Sequence, residues 1–225
     1  MPIKLWKATH LVYQKRRMSR RTFCTFNPRK NLFNTERYTC HTIEEVDQMI
    51  ESASSAYPVI ASKTNQEINK LLRLIKEKLR STKAKIASAY LEETGLTKER
   101  FDTEFNRTIF QLELFSNHII APEYISTLNQ TKKLNNKILT KKKIGIGPVL
   151  VLGASNFPLA YSTIGGDSVA ALAAKNPVIL KSHPFHVGTS SVVFSAIQDA
   201  IYELNFPKGT FTHLIDDGYE LGTHI

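Results

Sequence analysis

The sequence predicts an α/β fold, in which N-terminal helices and a protruding β-hairpin precede a parallel sheet. Three observations support this prediction. Apolar residues recur at helical spacing through the first half of the chain. A lysine-rich stretch with short β-prone pieces follows. In the second half, continuous apolar strands alternate with helical segments, which is typical of parallel strands covered on both faces.

Composition indicates a globular chain that is long enough to bury a core. It has 225 residues, of which 42% are hydrophobic and 22% are charged. No apolar run approaches the roughly 20 residues that a membrane-spanning helix needs, so no membrane partner is expected. Cys24 and Cys40 are too few for a disulfide framework or a cysteine metal cluster. We therefore expect a reducing, cytoplasmic setting and no metal site.

The net charge of +10 is unevenly distributed. Residues 1–35 carry nine basic and no acidic side chains, and a second cluster holds Lys132, Lys133, Lys137, Lys141, Lys142 and Lys143. Nucleic acid is a partner to consider for such a chain. However, no aromatic residue suited to base stacking lies between Tyr124 and Phe157, so nucleic-acid binding is not favoured. Residues 1–35 lack acidic residues, as organelle transit peptides do, but Ser19 is their only serine, and they also lack the apolar core of a secretory signal. We therefore interpret this basic charge as solvated charge on an irregular N-terminus, and a targeting role is not favoured.

Four helices are predicted in the first half of the chain. A capping box from Thr42 to Glu45 begins the first, and Pro58 is predicted to end it. The second begins at about residue 65. The third is predicted over residues 82–94, with Gly95 ending it, and the fourth over residues 97–120.

Residues 131–147 are predicted to form a strand pair that protrudes from the body. The Asn135-Asn136 pair tolerates the left-handed backbone of a tight turn. Lysines on such strands protect an exposed edge against pairing with other chains. That is the simplest interpretation of the second basic cluster.

The second half predicts three buried strands, at residues 148–152, 177–180 and 211–215. Two helices, at residues 160–174 and 188–204, separate them. This β-α-β-α-β order implies right-handed crossovers and a Rossmann-like parallel sheet. Ligands of such sheets bind beyond the carboxyl ends of the strands. The expected site therefore draws on residues 152–156, 181–183 and 215–217.

The residues at these strand ends leave alternatives open. The usual Gly-x-Gly-x-x-Gly dinucleotide fingerprint is missing, since Gly153 stands alone after the first strand. Asn156 can donate an amide hydrogen to a developing oxyanion, but capping a local turn is the commoner role of asparagine. Lys181 can hold a ribose or a phosphate, or simply extend its ammonium into solvent. Metal binding by His183 and His186 is not favoured because Pro184 separates them. Asp216-Asp217-Gly218 is read as a turn.

Two long stretches carry a family resemblance. They are GPVLVLGASNFPLAYSTIGGDSVAALAAKNPVILKSHPFHVGTS at 147–190 and FPKGTFTHL at 206–214, with weaker matches at 22–31, 42–57, 91–96 and 105–115. Nearly all of residues 22–225 resembles the N-terminal part of the aldehyde dehydrogenase superfamily. The chain is most similar to the branch of bacterial NADP-dependent fatty-aldehyde and α-ketoglutaric semialdehyde dehydrogenases.

The resemblance implies site roles and a cofactor. Asn156 matches the asparagine that donates to the oxyanion formed when a cysteine thiolate attacks the aldehyde. Lys181 matches the lysine that holds the adenosine ribose, and the backbone of Gly153, Ala154 and Ser155 would line the nicotinamide side. Ser182 and His183 belong to a Lys-Ser-His-Pro stretch where many relatives have Lys-Pro-Ala-Glu. Without that glutamate a 2′-phosphate is less repelled, so the cofactor is expected to be NADP or NAD.

The resemblance also implies a domain organisation. Residues 1–21 are a poorly matched basic N-terminus, and residues 22–130 are the helical part of a cofactor-binding domain. Residues 131–147 resemble the family's oligomerisation hairpin, so a homo-oligomer is expected. Residues 148–225 are the Rossmann-like cofactor-binding segment, in a parallel sheet truncated after three strands. We expect the catalytic domain to be absent from these residues.

The chemistry needs two residues that the resemblance does not supply. The family's nucleophilic cysteine and general-base glutamate follow a Phe-Thr-Gly-Ser segment that these 225 residues do not contain. Cys24 and Cys40 match neither role. We therefore expect a cofactor-binding portion of an enzyme that oxidises an aldehyde to a carboxylate, inactive by itself. The alternatives are a truncated gene product that acts as a binding module and a basic nucleic-acid-binding protein, the latter resting on charge alone.

Overall fold

The computed structural model describes residues 20–135 and 137–225. Most of the basic N-terminus (residues 1–19) and Asn136 of the expected hairpin turn lie outside the described residues. The strands are β1 (Thr22–Phe23), β2 (Phe26–Asn27), β3 (Leu32–Phe33), β4 (Tyr38–Thr39), β5 (Asn129–Leu134), β6 (Lys137–Lys142), β7 (Val149–Leu152), β8 (Val178–Lys181) and β9 (Phe211–Leu214). The helices are α1 (Ile43–Ser62), α2 (Asn65–Thr94), α3 (Lys98–His118), α4 (Pro122–Leu128), α5 (Gly166–Ala173), α6 (Val187–Glu203) and α7 (Glu220–His224).

The predicted parallel sheet is confirmed. Its order is β7-β8-β9, and both strand pairs are parallel. The register places Leu152 beside Lys181 and Lys181 beside Leu214. The carboxyl ends of all three strands therefore meet at one edge of the sheet.

Helices cover the sheet on both faces, as its apolar strands require. The large buried cluster joins α2, α3, α5 and α6 with the strands. A smaller cluster of Val46, Leu214 and Leu221 packs α1 and α7 against β9. Within the described ranges, no helix combines the length and the apolar character needed to cross a bilayer.

The first helix begins where the capping box predicts, but Pro58 does not end it. The Thr42 side chain accepts from the Glu45 amide, and the Glu45 carboxylate accepts from the Thr42 amide. The helix continues through Pro58 to Ser62. Ile60, fully buried beyond the proline, continues the apolar face. Packing of that face outweighs the hydrogen bond that the proline cannot donate.

The predicted second and third helices are one continuous helix, α2, of 30 residues. The expected break near Thr82 does not occur, because Ser81 and Thr82 both donate their hydroxyl hydrogens to the Lys78 carbonyl oxygen. Side chains bonded back to their own helix do not act as caps. Gly95 ends the helix with a left-handed backbone (φ 64°), as expected.

The predicted helix over residues 160–174 is divided in two. An irregular, kinked turn over Leu159–Thr163 precedes α5, and Ser162 has non-helical dihedral angles (φ −127°, ψ −121°). Gly165 explains the break. A Cβ atom there would lie 2.1 Å from the Ala160 carbonyl oxygen, so the chain folds back on itself in a way that only glycine allows.

Several short elements were not predicted. Strands β1 to β4 form two antiparallel pairs of two residues each, too short for a periodic signal. Pro122, read as a limit, instead occupies the first turn of α4. The predicted strand pair is confirmed as β5 and β6, which are antiparallel and exposed along their whole length.

Candidate functional site

A cavity of about 310 Å³ lies at the edge where the three parallel strands end. Its walls include Gly153 after β7, Lys181 at the end of β8, and Ser182 and His183 just beyond. Asp217, which follows β9, closes another side. Four of the seven expected site residues therefore meet in one cavity, at the position that the strand order predicts.

Gly153 is required by close packing. Its amide donates to the Lys181 carbonyl oxygen at 2.9 Å, which extends the β7–β8 pairing by one residue. A Cβ atom at this position would lie 2.7 Å from the Ser162 hydroxyl oxygen and 3.3 Å from the His183 nitrogen. The lone glycine therefore brings two loops together instead of forming a glycine-rich phosphate loop.

Lys181 is buried, with 8% of its surface exposed. The alternative of a strand-end lysine extended into bulk solvent therefore does not fit. Burial lowers the pKa of its ammonium, and the nearby carboxylates of Asp216 and Asp217 oppose that shift. Those carboxylates are bound to Arg21, and no carboxylate in the described part of the chain forms an ion pair with Lys181.

Ser182 and His183 shape the cavity and add little charge to it. The Ser182 hydroxyl donates to the Leu214 carbonyl oxygen at 3.3 Å, which ties the end of β8 to β9. The His183 Nδ1 atom accepts from the Phe185 amide at 3.2 Å. Burial, together with the neighbouring His186 and Lys181, lowers the pKa of His183 to about 4. His183 is therefore neutral at pH 7 and does not repel the Lys181 ammonium.

His183 and His186 lie side by side just beyond β8. Their rings stack with centroids 5.6 Å apart. The His186 Nε2–H group donates to the Ala154 carbonyl oxygen at 2.9 Å, and burial lowers the pKa of this imidazole. One ring nitrogen of each histidine is thus used to hold the backbone.

Ala154, Ser155 and Asn156 lie on the loop beyond β7, outside the lining of the cavity. Both backbone polar groups of Ala154 are used internally, since its amide donates to the Tyr161 carbonyl oxygen at 2.9 Å. Ser155 and Asn156 are exposed. The Asn156 side-chain amide makes no hydrogen bond within the described ranges, so the turn-capping alternative has no support. Its amide is free to meet a ligand.

Glu104 of α3 holds this loop in place. Its buried carboxylate accepts from the Leu159 amide at 2.7 Å and the Ala160 amide at 2.9 Å, both on Oε1. Its Oε2 atom accepts from the Tyr90 hydroxyl at 2.8 Å. The loop that presents Asn156 therefore ends on a fixed anchor, only three residues beyond the asparagine.

Arg100, also on α3, braces the same loop from outside. Its guanidinium lies over the Phe157 ring, 4.5 Å from the centroid, and donates to the Asn156 carbonyl oxygen at 3.4 Å. The backbone of Asn156 is thereby restrained while its side chain stays exposed.

Arg21 fastens the loop after β9. Its guanidinium bonds Asp216 at 2.6 Å and Asp217 at 2.8 Å. Cys40 lies beside them, and one potential metal-ligand atom from each of Cys40, Asp216 and Asp217 falls within 4.8 Å of the others. Arg21 already supplies the positive charge that a cation would bring, and burial raises the pKa of the Cys40 thiol. We interpret the cluster as an internal ion-pair network that shapes the cavity.

Sequence reasoning missed three contributors to the site. Glu104 was overlooked because a charged residue on an amphipathic helix is ordinarily assigned to the solvated face. Asp217 falls within the range 215–217 that is expected at the strand ends, three residues beyond β9, but Asp216-Asp217-Gly218 predicts only a turn and gives its carboxylate no role. Gly222 lies in the short helix α7, where a Cβ atom would be 3.0 Å from the Lys181 Cδ atom. Of these three residues, only Asp217 had a sequence signal that indicated the cavity, which was its position shortly after a predicted strand end.

Comparison with known proteins identifies the family of this chain. The family model described as "Aldehyde dehydrogenase family" matches residues 15–225. An α-ketoglutaric semialdehyde dehydrogenase of Acinetobacter baylyi is 36% identical over 189 residues, which are 82% of this chain and 36% of that protein. A second enzyme of that name, from Azospirillum brasilense, is 41% identical over 135 residues, or 58% of this chain and 26% of that protein. The chain thus spans about a third of the length of these curated relatives.

Solved structures share the fold at low sequence identity. A glyceraldehyde-3-phosphate dehydrogenase from Methanocaldococcus jannaschii, complexed with NADP, has a TM-score of 0.78 at 16% identity. The match covers 92% of this chain and 43% of that one. HpcC from Thermus thermophilus has a TM-score of 0.79 at 18% identity, covering 91% of this chain and 38% of that one. The family match over residues 15–225, supported by relatives and fold alike, shows that the chain belongs to the aldehyde dehydrogenase family.

Proposed function

We propose that these residues form the cofactor-binding portion of an NAD(P)-dependent aldehyde dehydrogenase that oxidises an aldehyde to a carboxylate. The observation that carries the proposal is Lys181, which lies on the wall of a cavity at the carboxyl ends of three parallel strands. The residue is buried overall, and its ammonium has no ion-pair partner in the described ranges. A cation in such a position favours an anionic or hydroxyl-rich ligand. The volume of about 310 Å³ falls at the lower end of the range for ligand sites, which suits part of a dinucleotide.

The charges around the cavity support NADP as well as NAD. Pro184 stands where many relatives have a glutamate, so that carboxylate is missing here. Asp217 lines the cavity, but Arg21 at 2.8 Å compensates its charge. A 2′-phosphate would therefore meet the Lys181 ammonium without strong repulsion from Asp217.

The loop beyond β7 would serve the reacting end of the cofactor and substrate. When bound, the nicotinamide accepts a hydride from the substrate. Asn156 would donate its free side-chain amide to the oxyanion of the attacked aldehyde. Gly153, Ala154 and Ser155 would contribute shape more than hydrogen bonds, because the Gly153 amide and both Ala154 groups are already bonded within the protein.

Binding of NADPH to the purified chain tests the cofactor role. The nucleotide is titrated while its fluorescence is followed, and NADH is titrated in parallel. We expect saturable binding that Lys181→Met weakens about tenfold, since loss of one charge-assisted contact costs about 1.5 kcal/mol or more. The matched control is Lys208→Met, because Lys208 lies at the opposite end of β9. Equal affinity of the Lys181 variant and the wild type would contradict the proposal.

Catalysis is tested separately with the same polypeptide. Cys24 and Cys40 are its two cysteines, and Cys40 is buried with its thiol pKa raised. We expect the 225-residue polypeptide to bind cofactor without reducing it in the presence of an aldehyde. Reduction of NADP with a simple aldehyde, lost in Asn156→Ala, would overturn this expectation.

We also propose that the β5–β6 hairpin pairs with another copy of the chain. The hairpin is exposed on both strands, and apolar residues occur on it, Ile138 being 72% exposed. Exposed apolar side chains on an extended hairpin are suited to burial in an interface. Sedimentation velocity tests this, and the expected result is self-association that Ile138→Lys weakens. A monomer at all concentrations would contradict it.

A further inference from the structure

A second cavity, of about 610 Å³, lies at the base of the hairpin and shares no lining residue with the cavity at the strand ends. The end of α1, helix α4 and the residues following β6 surround it, and the end of α5 closes the remaining side. Its volume is within the range of roughly 300–1,000 Å³ that small-molecule sites occupy. The cofactor proposal does not use it.

Hydrogen bonds fix the walls of this hairpin-base cavity. The Tyr57 hydroxyl donates to the Gly145 carbonyl oxygen at 2.5 Å, and the Lys143 amide donates to the Leu128 carbonyl oxygen at 2.8 Å. The buried Asn176 side chain accepts from the Ile146 amide at 2.7 Å. The segment after β6 is therefore held at a fixed distance from α1 and α4. The cavity is a consequence of this bracing.

The lining of the cavity is mainly apolar. It includes the carbon surfaces of Ala61, Leu128, Ile144 and Ala173, with the ring of Tyr124. Ile144 is 74% exposed. Such a surface is suited to a ligand with an apolar body.

The charged groups of the cavity are all of one sign. Lys142, Lys143 and Lys175 line it, and none of the described residues in its wall is acidic. Burial and the neighbouring Lys142 ammonium both lower the pKa of Lys175, so the two ammonium groups are close enough to repel each other. Lys175 donates to the Lys63 carbonyl oxygen at 2.6 Å, a neutral acceptor.

The carboxylate that favours the charged form of Lys175 already has partners of its own. Glu67 is the acidic group that favours the charged form of Lys175. Its carboxylate accepts from the Thr64 amide at 2.7 Å, from the Lys63 ammonium at 2.9 Å and from the Thr64 hydroxyl at 2.8 Å. These contacts hold the pKa of Glu67 at about 2. The positive charge of the cavity therefore remains available to a ligand.

We propose that the hairpin-base cavity binds a small amphiphilic anion, an apolar body that carries a carboxylate. The carboxylate would lie between the Lys142 and Lys175 ammonium groups, and the apolar body would lie against Ala61 and Leu128. This arrangement relieves the repulsion between the two ammonium groups and covers the exposed apolar wall.

Calorimetric titration of the purified chain with decanoate tests the proposal. We expect saturable one-to-one binding, and we expect neither decanol nor inorganic phosphate to match it, because each supplies half of the required chemistry. The double variant Lys142→Gln/Lys175→Gln should bind decanoate about five- to tenfold more weakly, the loss expected for two partly exposed charge interactions. The matched control Lys132→Gln/Lys133→Gln removes the same charge from the hairpin outside the cavity and should bind like the wild type.

A variant that fills the cavity tests the site without changing its charge. Ala61 is exposed on α1, so Ala61→Phe should fold normally, which thermal unfolding checks, and should abolish decanoate binding. Binding that is equally tight for decanol, or unaffected by Ala61→Phe, would overturn the proposal. The proposal would also be overturned if decanoate did not bind and the chain self-associated in a way that Ala61→Phe disrupts. A second copy of the chain would then be the occupant of the cavity.

Discussion

Replacing Glu104 with alanine should destabilise the fold more than any other change at the site. The substitution removes the acceptor of three buried hydrogen bonds, at 2.7 Å from the Leu159 amide, 2.9 Å from the Ala160 amide and 2.8 Å from the Tyr90 hydroxyl. Hydrogen bonds to a charged group contribute about 1.5–3 kcal/mol each, and the desolvation of the carboxylate offsets part of that sum. We therefore expect the free energy of unfolding to fall by about 3–5 kcal/mol.

Glutamine at this position is a sharper test because the structure separates the two carboxylate oxygens. Both backbone amides donate to Oε1, and Tyr90 donates to Oε2. A glutamine whose carbonyl oxygen replaces Oε1 keeps both amide bonds. Its amide group can then donate to the Tyr90 oxygen, since a hydroxyl is both donor and acceptor. Glu104→Gln should therefore cost only about 1–2 kcal/mol, the difference between charged and neutral hydrogen bonds.

Urea unfolding followed by circular dichroism measures both variants against the wild type. The matched control is Glu113→Ala, an exposed glutamate on the same helix, for which a change within about 0.5 kcal/mol is expected. The slope of free energy against urea should not change. If Glu104→Ala and Glu104→Gln are equally mild, the carboxylate does not anchor the loop and the reasoning fails.

Three further predictions concern stability. Gly165→Ala should lower the free energy of unfolding in urea by about 3 kcal/mol or more, because the new Cβ would lie 2.1 Å from the Ala160 carbonyl oxygen. Gly218→Ala is the control and should be neutral, because a Cβ there would have no atom within 4 Å. Equal effects of the two substitutions would contradict the close approach at Gly165. Thr64→Ala should cost about 1 kcal/mol by removing the cap of α2, and an unchanged melting curve would exclude that role. Burial lowers the pKa of His213 to about 3, below its unfolded value, so this residue favours the unfolded chain as pH falls from about 6.5 towards 3. The free energy of unfolding of the wild type, relative to that of His213→Gln, should therefore fall by about 1.4 kcal/mol per pH unit below pH 5.5. A difference between the two proteins that does not change with pH would contradict the lowered pKa of His213.

Local sequence signals located most of the helix boundaries. They failed where packing of the apolar face decides whether the helix continues. Thr42 and Gly95 marked helix ends correctly, because a capping side chain and a left-handed glycine act within a few residues. The predictions that Pro58 ends the first helix and that a new helix begins at Thr82 are wrong. In both places the apolar stripe continues beyond the signal, and burial of that stripe outweighs one lost or redirected hydrogen bond.

The cavity at the strand ends was predictable in position but not in composition. The order of strands and helices placed Gly153, Lys181 and His183 at one edge of the sheet, since parallel strands end on the same side. Residues 215–217 were expected at the same edge, but the compensation of the Asp217 charge and the neutral state of His183 could not be predicted from the sequence. Both depend on distant partners, Arg21 in one case and the surrounding burial in the other.

By itself, the sequence determined the class of fold, the parallel sheet, the hairpin and the edge at which a ligand would bind. These features follow from the periodicity of apolar residues and from local backbone preferences, both of which depend on residues that are close together in the sequence. Only the tertiary structure decided that Glu104 anchors the Asn156 loop, that Lys181 has no ion-pair partner within the described ranges, and that the hairpin base encloses a positively charged cavity. Those features join residues that lie tens of positions apart. Their energies depend on burial and charge pairing, which exist only once the chain is packed.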